Sequence, residues 1–407
     1  MKDELIIRAA DSFPTPFYLF DTDALQDRVK KITELLEGRA SLCFAMKANP
    51  FLIRSLRNLV DRFEICSPGE YHIFEKCDMY DQGMIYSGVY KDRKTLWEAL
   101  EKHAHDSLFT VESERHLRYL DEWTAENKKQ VQILLRLTSG NQFGMDEETV
   151  CGIVRDRERY PFLEIVGIHY FSGTQKKKVQ KIEKELLYLD AFCGKLLQEY
   201  GFKVEQLEYG PGAGISYFPS DKNVLSLEEM VCGIRDCIDQ MKFEGTITLE
   251  MGRFIAALCG WYFTTICDIK SNGNENYVIV DGGIHQINYD GQLKGMYIPY
   301  MKQLSAHKVH EIPAQKTEEA QKMWNVCGAL CTVNDVLCRQ ALLTPPQAGD
   351  VLVFERTGAY AAMEGMALFL SRDLPGVVMY SEERGMVEVR KKQDIYKYNC
   401  ETNESVN

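Results

Sequence analysis

The chain has 407 residues and a net charge of −12 at pH 7, and both values restrict what it can be. The length exceeds what one small core needs and suits a barrel of about 250 residues with a second domain. Nucleic acid and anionic membranes are bound through basic patches, so the acidic balance argues against both as main partners. The apolar fraction of 45% is that of an ordinary globular protein.

The N-terminal segment and the cysteines bear on the compartment. No positively charged start leads into a long apolar run, so we expect no signal peptide. No window approaches the roughly 18 uninterrupted apolar residues of a membrane span. The thirteen cysteines are odd in number and scattered, which favours reduced thiols and a cytoplasmic location. Cys327, Cys331 and Cys338 lack the paired spacing and the further ligand of a zinc site, so we expect no metal there.

Eight short apolar runs follow one another across the first two-thirds of the chain, separated by segments with apolar residues at helical spacing. They are SLCFAMKA (41–48), FEICS (63–67), MIYSG (84–88), SLFTVES (107–113), VQILLRLT (131–138), EIVGIHYFSG (164–173), QLEYGPGAG (206–214) and TITLEMGR (246–253). Strand and helix alternating in this way predict an α/β fold with a closed parallel (β/α)8 barrel of the TIM type. An open doubly wound sheet is the alternative, but eight regular units favour closure.

After residue 260 the pattern changes, because strand-like runs are joined by Gly, Asn and Asp turns without long helices. These runs are FTTICDIK, NYVIVDGG, GDVLVFERTGAY and GMVEVRKKQD. We predict that the barrel comprises residues 26–261 and that residues 262–407 form a mostly antiparallel β-domain. Residues 1–25, which include the strand-like FYLFD, are expected to join the β-domain.

Barrel enzymes carry their active sites at the C-terminal ends of the strands. The polar residues at those ends are Lys47, Ser67, Ser87, Glu112, Arg136, His169, the glycines of 210–214, Glu250 and Arg253. A lysine, a glycine-rich turn, an arginine and a carboxylate at one mouth are the groups needed to hold a phosphorylated cationic heterocycle.

Each of these groups also has a purely structural interpretation. Partial desolvation at a strand end would make the Lys47 amine a better nucleophile, but the side chain could simply extend to solvent. The turn from Gly210 to Gly214 follows strand seven, where barrels bind phosphate, but it could be only a tight turn. Glu250 could keep a pyridine nitrogen protonated, or it could form a surface ion pair with Arg253.

The motifs FAMKANP, EICSPGE, IHYFSGTQ, EYGPGAG, EMGRF, DGG, GALCTVND and GAY occur in this order along the chain. In this combination the chain resembles the fold-type III pyridoxal-phosphate (PLP) decarboxylases, the group of diaminopimelate, ornithine and arginine decarboxylases. The resemblance covers almost the whole chain, from FYLFD to GAYAAM. It implies a PLP-dependent carboxy-lyase that acts on an amino acid, with an alanine racemase-like barrel and β-domain.

The resemblance also implies roles for individual residues. Lys47 would form the Schiff base with PLP, and Glu250 would face the pyridine nitrogen. Cys331 would be the proton donor or the gate to the substrate carbanion, and it would come from the neighbouring subunit of a homodimer with shared active sites. The other cofactor contacts would be Ser67, Arg136, His169, Phe171, Thr174, Gly210, Gly212, Ala213, Arg253 and Tyr360, and Glu70 lies in the same motif as Ser67. The substrate contacts would be Thr332, Asp335 and Tyr360.

Three positions depart from the family pattern. Phe171 stands where the family usually stacks a histidine on the cofactor, and His169 lies two residues earlier on the same strand face. Thr332 stands where the family has an acid that holds a distal ammonium. The stretch IHQINYDGQL lacks the arginine that binds a distal carboxylate in diaminopimelate enzymes. Each missing charge would cost a dibasic or dicarboxylic substrate on the order of 2 kcal/mol.

We therefore predict decarboxylation of an α-amino acid or aminoacyl substrate, either a small molecule or carrier-linked, that is not simply diaminopimelate, ornithine or lysine. A PLP-dependent racemase is one alternative, although the cysteine motif argues against it. A non-catalytic regulatory homologue that binds a protein partner is the other. Such homologues tend to lose the lysine or the phosphate contacts, and all of these are present here.

Overall fold

The computed structural model describes residues 3–313 and 322–401, which form two compact units. The barrel unit comprises residues 26–215 and 223–255. The β unit comprises the remaining described residues, including 216–222 and those from 256 onward. Residues 216–222 and 256–261 thus group with the β unit, whereas the sequence analysis assigned them to the barrel.

Helix α1 (Asp3–Ser12) and strand β1 (Phe17–Asp21) precede the barrel unit, which begins within helix α2 (Thr22–Leu36). The barrel strands are β2 (Ser41–Ala45), β3 (Arg62–Ile65), β4 (Gly83–Tyr86), β5 (Ser107–Val111), β6 (Val131–Leu137), β7 (Leu163–Phe171), β8 (Gln206–Gly210) and β9 (Thr246–Met251). The helices around them are α3 (Pro68–Lys76), α4 (Arg93–His103), α5 (Glu114–Asn127), α6 (Glu147–Arg155), α7 (Val179–Tyr200) and α8 (Leu227–Asp239), followed by the short α9 (Arg253–Ala256). The strands close into a parallel barrel in chain order, so the predicted barrel is confirmed.

Local sequence explains where most of the barrel helices begin. Ser67, Asp92, Ser113 and Asp146 each cap a helix by accepting a hydrogen bond from a backbone N–H of its first turn. At α8, Ser226 and Glu229 form a reciprocal capping box. Apolar side chains from five strands meet in one cluster of the barrel core: Cys43, Ile85, Leu108, Leu134 and Val166.

The strands of the β unit are β10 (Gly260–Asn272), β11 (Glu275–Val280), β12 (Met301–Ser305), β13 (Lys308–Glu311), β14 (Trp324–Cys327), β15 (Val336–Ala341), β16 (Val351–Glu355), β17 (Gly376–Ser381) and β18 (Gly385–Arg390). With β1 they form one sheet, in which the longest path runs β13-β12-β16-β10-β1-β17-β18 and β11, β14 and β15 branch from β10. The sheet is mostly antiparallel, as predicted, although the pairs β1–β17 and β11–β14 are parallel.

The segment FYLFD forms β1, which pairs with β10 and β17 of this sheet. Helix α1 covers it, since Leu5, Ile6 and Ala9 pack in one core cluster with Phe17 and Leu19. All thirteen cysteines lie within the described residues and are unpaired. No helix among the described residues has the length and apolar character needed to cross a bilayer.

Candidate active site

Lys47 lies just beyond the C-terminal end of β2, in a 3-10 turn formed by Met46–Ala48. Its Nζ is 2.5 Å from Oε2 of Glu64 on β3 and 3.6 Å from Oε1 of Glu250 on β9. The lysine side chain is 37% exposed, whereas both carboxylates are almost fully buried. The amine is thus partly exposed and lies between two carboxylates, which hold it at the mouth rather than letting it extend freely into solvent.

Glu250 has a second partner, His169 of β7. The Nε2 of this histidine lies 3.1 Å from Oε2 of Glu250. Burial, reinforced by nearby Arg136, lowers the pKa of His169 to about 3, so the ring is neutral and its Nε2–H donates to the carboxylate. Its buried Nδ1 has no hydrogen-bond partner among the described residues. Because Glu250 and Arg253 are both buried, the alternative of a surface ion pair between them is wrong.

The loops that follow β7 and β8 are joined to each other. The Lys176 N–H donates to the Gly212 carbonyl (2.9 Å), and the Gly214 N–H donates to the Lys176 carbonyl (3.0 Å). Gly212 has φ +60°, and a Cβ there would lie 1.9 Å from the Gly173 carbonyl oxygen. A Cβ on Gly210 would lie 2.6 Å from the ring of Phe171. These positions therefore require glycine for backbone packing as well as for any anion they bind.

The same loops offer unused donors. Among the described residues, the N–H groups of Gly212 and Ala213 have no acceptor. Thr174 is exposed on the facing loop, and Arg253 begins α9 directly after β9. Two backbone donors in a turn with positive φ form a concave site suited to a phosphate. The structure thus brings Lys47, Glu250, His169, Phe171 and the glycine loop to one mouth.

Two further cofactor-side predictions have structural partners of their own. Ser67 caps α3 by accepting from the Glu70 N–H (3.2 Å), and Glu70 accepts in return from the Cys66 N–H (2.7 Å). Arg136 donates from Nη1 to the buried Glu112 (3.1 Å) at the ends of β6 and β5. Its Nε is buried with no partner among the described residues. Both side chains therefore keep a donor available beyond their structural contacts.

Sequence reasoning missed several charged residues of the barrel interior. Glu64 contacts Lys47 and lies on the apolar run FEICS, where a charge in mid-strand was an available signal. Lys91 is fully buried and donates to the Gly88 carbonyl (2.9 Å) and the Thr110 hydroxyl (3.1 Å). Glu208 is buried on β8, with Arg62 3.5 Å away, and burial raises the pKa of this carboxyl to about 8.

The remaining predicted residues lie in the β unit. Cys331 and Thr332 are in the turn between β14 and β15, where Cys331 is exposed. Asp335, in the same turn, is buried and accepts from the N–H groups of Leu330 (2.7 Å) and Ile284 (2.9 Å). Tyr360 is half-buried and has a positive φ of 49°.

The sequence model of the family described as "Pyridoxal-dependent decarboxylase, pyridoxal binding domain" matches residues 22–257, which include the whole barrel. The chain belongs to the pyridoxal-dependent decarboxylase family. A diaminopimelate decarboxylase of Aquifex aeolicus is 26% identical, with 96% of this chain and 91% of the relative aligned. An L-glutamyl-[BtrI acyl-carrier protein] decarboxylase of Niallia circulans is 24% identical over 89% and 88% of the two chains. The solved diaminopimelate decarboxylase of Helicobacter pylori, complexed with L-lysine, superposes with a TM-score of 0.80 at 23% identity, over 96% and 97% of the chains.

The chain is therefore a PLP-dependent amino-acid decarboxylase, and its mouth can be compared with the needs of that cofactor. PLP brings a phosphate, a pyridine nitrogen and an aldehyde. The unused N–H groups of Gly212 and Ala213 suit the phosphate, the buried carboxylate of Glu250 suits a protonated ring nitrogen, and the Lys47 amine suits the aldehyde. The residues present fit the cofactor.

Proposed function

We propose that this enzyme decarboxylates an aminoacyl substrate whose distal end carries neither a free ammonium nor a free carboxylate, as when that end is linked to a carrier protein. The observation that carries the proposal is the loss of both distal charges that the family uses. Thr332 follows Cys331 where an acid would hold an ammonium, and the stretch 284–293 contains no arginine. A free charge placed against such a site would lose its partner at a cost of about 2 kcal/mol or more.

In the barrel, we propose that Lys47 holds the cofactor and that Glu250, oriented by His169, faces its ring nitrogen. Bound PLP supplies an electron sink for the negative charge that develops at Cα as CO2 leaves. Glu250 holds a proton at the ring nitrogen, and the neutral His169 fixes the carboxylate without competing for that proton. Phe171 gives an apolar face, and the glycine loop with Thr174 and Arg253 binds the phosphate and so fixes the orientation of the ring.

In the β unit, we propose that Cys331 delivers the proton to Cα and that Asp335 positions its loop rather than contacting the substrate. One oxygen of Asp335 accepts from the Leu330 N–H of its own turn, and the other accepts from the Ile284 N–H of a separate loop. Cβ atoms added to Gly283 or Gly328 would collide with this carboxylate. The backbone is thus packed closely around Asp335, which supports a structural role. We expect Asp335→Asn to lower kcat without changing cofactor content, and an unchanged kcat would contradict this role.

We also propose a homodimer with shared active sites in the cytoplasm. The exposed cysteine turn of the β unit includes Val333, which is 88% exposed. A large apolar side chain this exposed, next to the proposed proton donor, suits a surface covered by a second copy. Thirteen unpaired cysteines fit a reducing compartment.

The proposed substrate class is tested by screening the PLP-loaded enzyme for CO2 release. The panel contains meso-diaminopimelate, ornithine and lysine, the side-chain amides of acidic amino acids, and L-glutamyl groups as pantetheine and carrier-protein thioesters. We expect kcat/KM for at least one neutralised substrate to exceed every value for the free diamino acids. A high kcat/KM for free meso-diaminopimelate or ornithine would contradict the proposal.

The variant Thr332→Glu is the matched control for the screen. It restores an acid at the position after Cys331 without altering the barrel. If the missing charge sets the substrate class, this variant gains activity on ornithine or lysine and loses activity on the neutralised substrate. No gain on either diamino acid would show that position 332 does not set the preference.

A further inference from the structure

One part of the barrel surface has a charge opposite to that of the chain as a whole. Five lysines and one glutamate lie between residues 176 and 184, in a protein whose net charge is −12. Lys176 is buried and pairs with Glu185 (2.7 Å), which removes it from the surface. Lys178, Lys181 and Lys184 are exposed. Within the part of the chain that the structure describes, none of these three side chains forms an ion pair.

These three lysines lie where helix stability disfavours them. They occupy the start of α7, which has no acidic residue in its first turn and no side-chain cap. By contrast, α6 and α8 both begin with a capping side chain and two acidic residues. Positive charge is unfavourable at a helix N-terminus, and like charges three residues apart repel. Since local stability does not account for this placement, an external contact is the better explanation.

The position of the lysines relates them to the active site. The loop before α7 leaves the C-terminal end of β7, so this end of the helix lies at the mouth of the barrel. Lys176 is hydrogen-bonded through its backbone to Gly212 and Gly214 of the proposed phosphate loop. From Lys178 to Lys184 the helix rises by roughly 9 Å, at 1.5 Å per residue. The lysines therefore form a short basic surface that adjoins the cofactor site.

Farther along the same helix, a lysine forms an ion pair within the protein. Lys195 pairs with Glu147 of α6 (3.2 Å), and the same carboxylate accepts a hydrogen bond from Tyr188 (2.9 Å). Away from the mouth, a lysine of α7 is thus paired with an acidic residue of the same protein. Next to the mouth, the three exposed lysines are not so paired among the described residues.

We propose that Lys178, Lys181 and Lys184 form a docking surface for an acidic carrier protein that presents the substrate on a phosphodiester-linked arm. This inference rests on the proposed function and adds the partner and its place of contact. The partner's chemistry follows from charge complementarity, because an acidic protein would be repelled by most of this enzyme and attracted to this surface. Docking here would bring the arm to the mouth of the barrel, where Lys47 lies.

The test uses the PLP-loaded enzyme and the triple variant K178E/K181E/K184E. Fluorescence anisotropy of a labelled acyl carrier protein that bears its pantetheine arm measures docking without reference to the cargo. We expect the variant to bind at least about tenfold more weakly at low ionic strength, and wild-type binding to weaken as salt is added. With an L-glutamyl group as cargo, KM should rise by a similar factor on the carrier and stay unchanged on free pantetheine.

The matched control is the triple variant K128E/K203E/K242E, which makes the same change in net charge. These lysines lie on loops that lead from a helix into a strand, at the opposite end of the barrel. We expect the control to bind the carrier as the wild type does. Equal weakening in both variants would show an effect of net charge alone and would overturn the docking surface.

Each remaining outcome has a distinct meaning. If the enzyme turns over carrier-bound cargo but K178E/K181E/K184E binds normally, the docking surface is wrong and the proposed substrate class stands. If the wild type neither binds the carrier nor turns over any neutralised substrate, both proposals are wrong. If the variant loses activity equally on carrier-bound and pantetheine-bound cargo, the lysines act on the substrate itself and not on a partner protein.

Discussion

At the scale of single residues, the site is organised around one amine and two carboxylates. Glu64 and Glu250 are buried, and both face the amine of Lys47. The two carboxylates differ in their other partners, because only Glu250 contacts His169. That difference supports separate roles, with Glu250 facing the ring of the cofactor and Glu64 holding the lysine.

The variant Glu250→Gln tests the first of these roles. An amide cannot stabilise a proton on the ring nitrogen, so we expect kcat to fall by about 100-fold or more while the cofactor stays bound. Steady-state kinetics and the cofactor content of the purified protein measure the two effects separately. Glu64→Gln is the control. It also removes a negative charge next to Lys47, but from a carboxylate that does not contact His169. Wild-type kcat in Glu250→Gln would remove Glu250 from the proposed mechanism.

Glu208 makes the stability of the barrel depend on pH. Burial raises the pKa of its carboxyl from 4.5 to about 8, so the folded protein retains a proton there that the unfolded chain has lost. Stability therefore decreases as the pH rises from about 4.5 to about 8, by on the order of 4 kcal/mol. Glu208→Gln removes this dependence. We expect the variant to match the wild type near pH 4.5 and to have the higher Tm at pH 8.

Thermal unfolding of both proteins across this pH range provides the measurement. A difference in Tm that stays constant with pH would mean that Glu208 does not titrate as described. Cofactor should be removed from both samples, because ligand binding to the folded state adds its own pH dependence.

At the residue scale, the sequence locates candidates that stand in motifs or at strand ends, but it does not show properties that depend on burial. Lys47, Glu250 and the glycine loop could be found from strand ends and motifs. Lys91 and Glu208 could not, because their properties follow from the closed barrel interior that surrounds them. The contact of Lys47 with both carboxylates also required coordinates to find, since Glu64 and Glu250 come from β3 and β9.

At the scale of elements, the loops after β7 and β8 act as one unit. The backbone bonds between Lys176, Gly212 and Gly214 join them, and the glycines let the two backbones approach closely. Sequence alone predicted a glycine loop for phosphate but not its pairing with the lysine-rich loop, because contacts between loops depend on strand order in three dimensions.

Two glycines with the same backbone conformation allow the cost of backbone strain to be measured apart from the cost of a steric collision. Gly212 and Gly201 both have φ +60°, but only at Gly212 would a Cβ collide with another residue. We expect Gly201→Ala to cost about 1 kcal/mol of unfolding free energy from its backbone conformation alone. Gly212→Ala should cost more and should weaken PLP binding, because the two loops must separate.

Urea unfolding and PLP titration of the two variants are the measurements. Equal destabilisation in both, with normal PLP affinity in Gly212→Ala, would contradict the role of this loop pair in binding the phosphate.

Strand boundaries, and some whole strands, could not be predicted from the sequence. The eight barrel runs were all found, but β2 and β8 end earlier than predicted, since the residues after them form turns. In the β unit, β12, β13, β14, β15 and β17 were not predicted. Several of these strands are short or carry polar residues, and their sheet partners lie far away in sequence.

At the scale of the whole molecule, regular alternation made the barrel predictable, and the loss of long helices after residue 260 made the β-domain predictable. What the sequence does not specify by periodicity is the return of residues 216–222 to the β unit. The segment 216–222 has no motif of its own. Its position depends on contacts such as the hydrogen bond that the Tyr300 N–H donates to the Tyr217 carbonyl (3.3 Å).

The proposed homodimer predicts that two inactive variants can restore activity together, because each active site uses groups from two chains. The variants Lys47→Ala and Cys331→Ala should each be inactive. Mixing them under conditions that allow subunit exchange should restore activity, because a mixed dimer has one site with both wild-type groups. We expect recovery to about one quarter of the wild-type activity at statistical exchange. No recovery, although exchange is demonstrated by mass, would contradict shared active sites.

The central claim is that Lys47 is the residue that holds PLP. Borohydride reduction of the PLP-loaded enzyme, followed by peptide mapping by mass spectrometry, tests it directly. The account predicts a pyridoxyl phosphate group on Lys47 in the wild type and no modified peptide in Lys47→Ala. A modified lysine elsewhere in the chain, or no modified lysine in an enzyme that releases CO2, would contradict it.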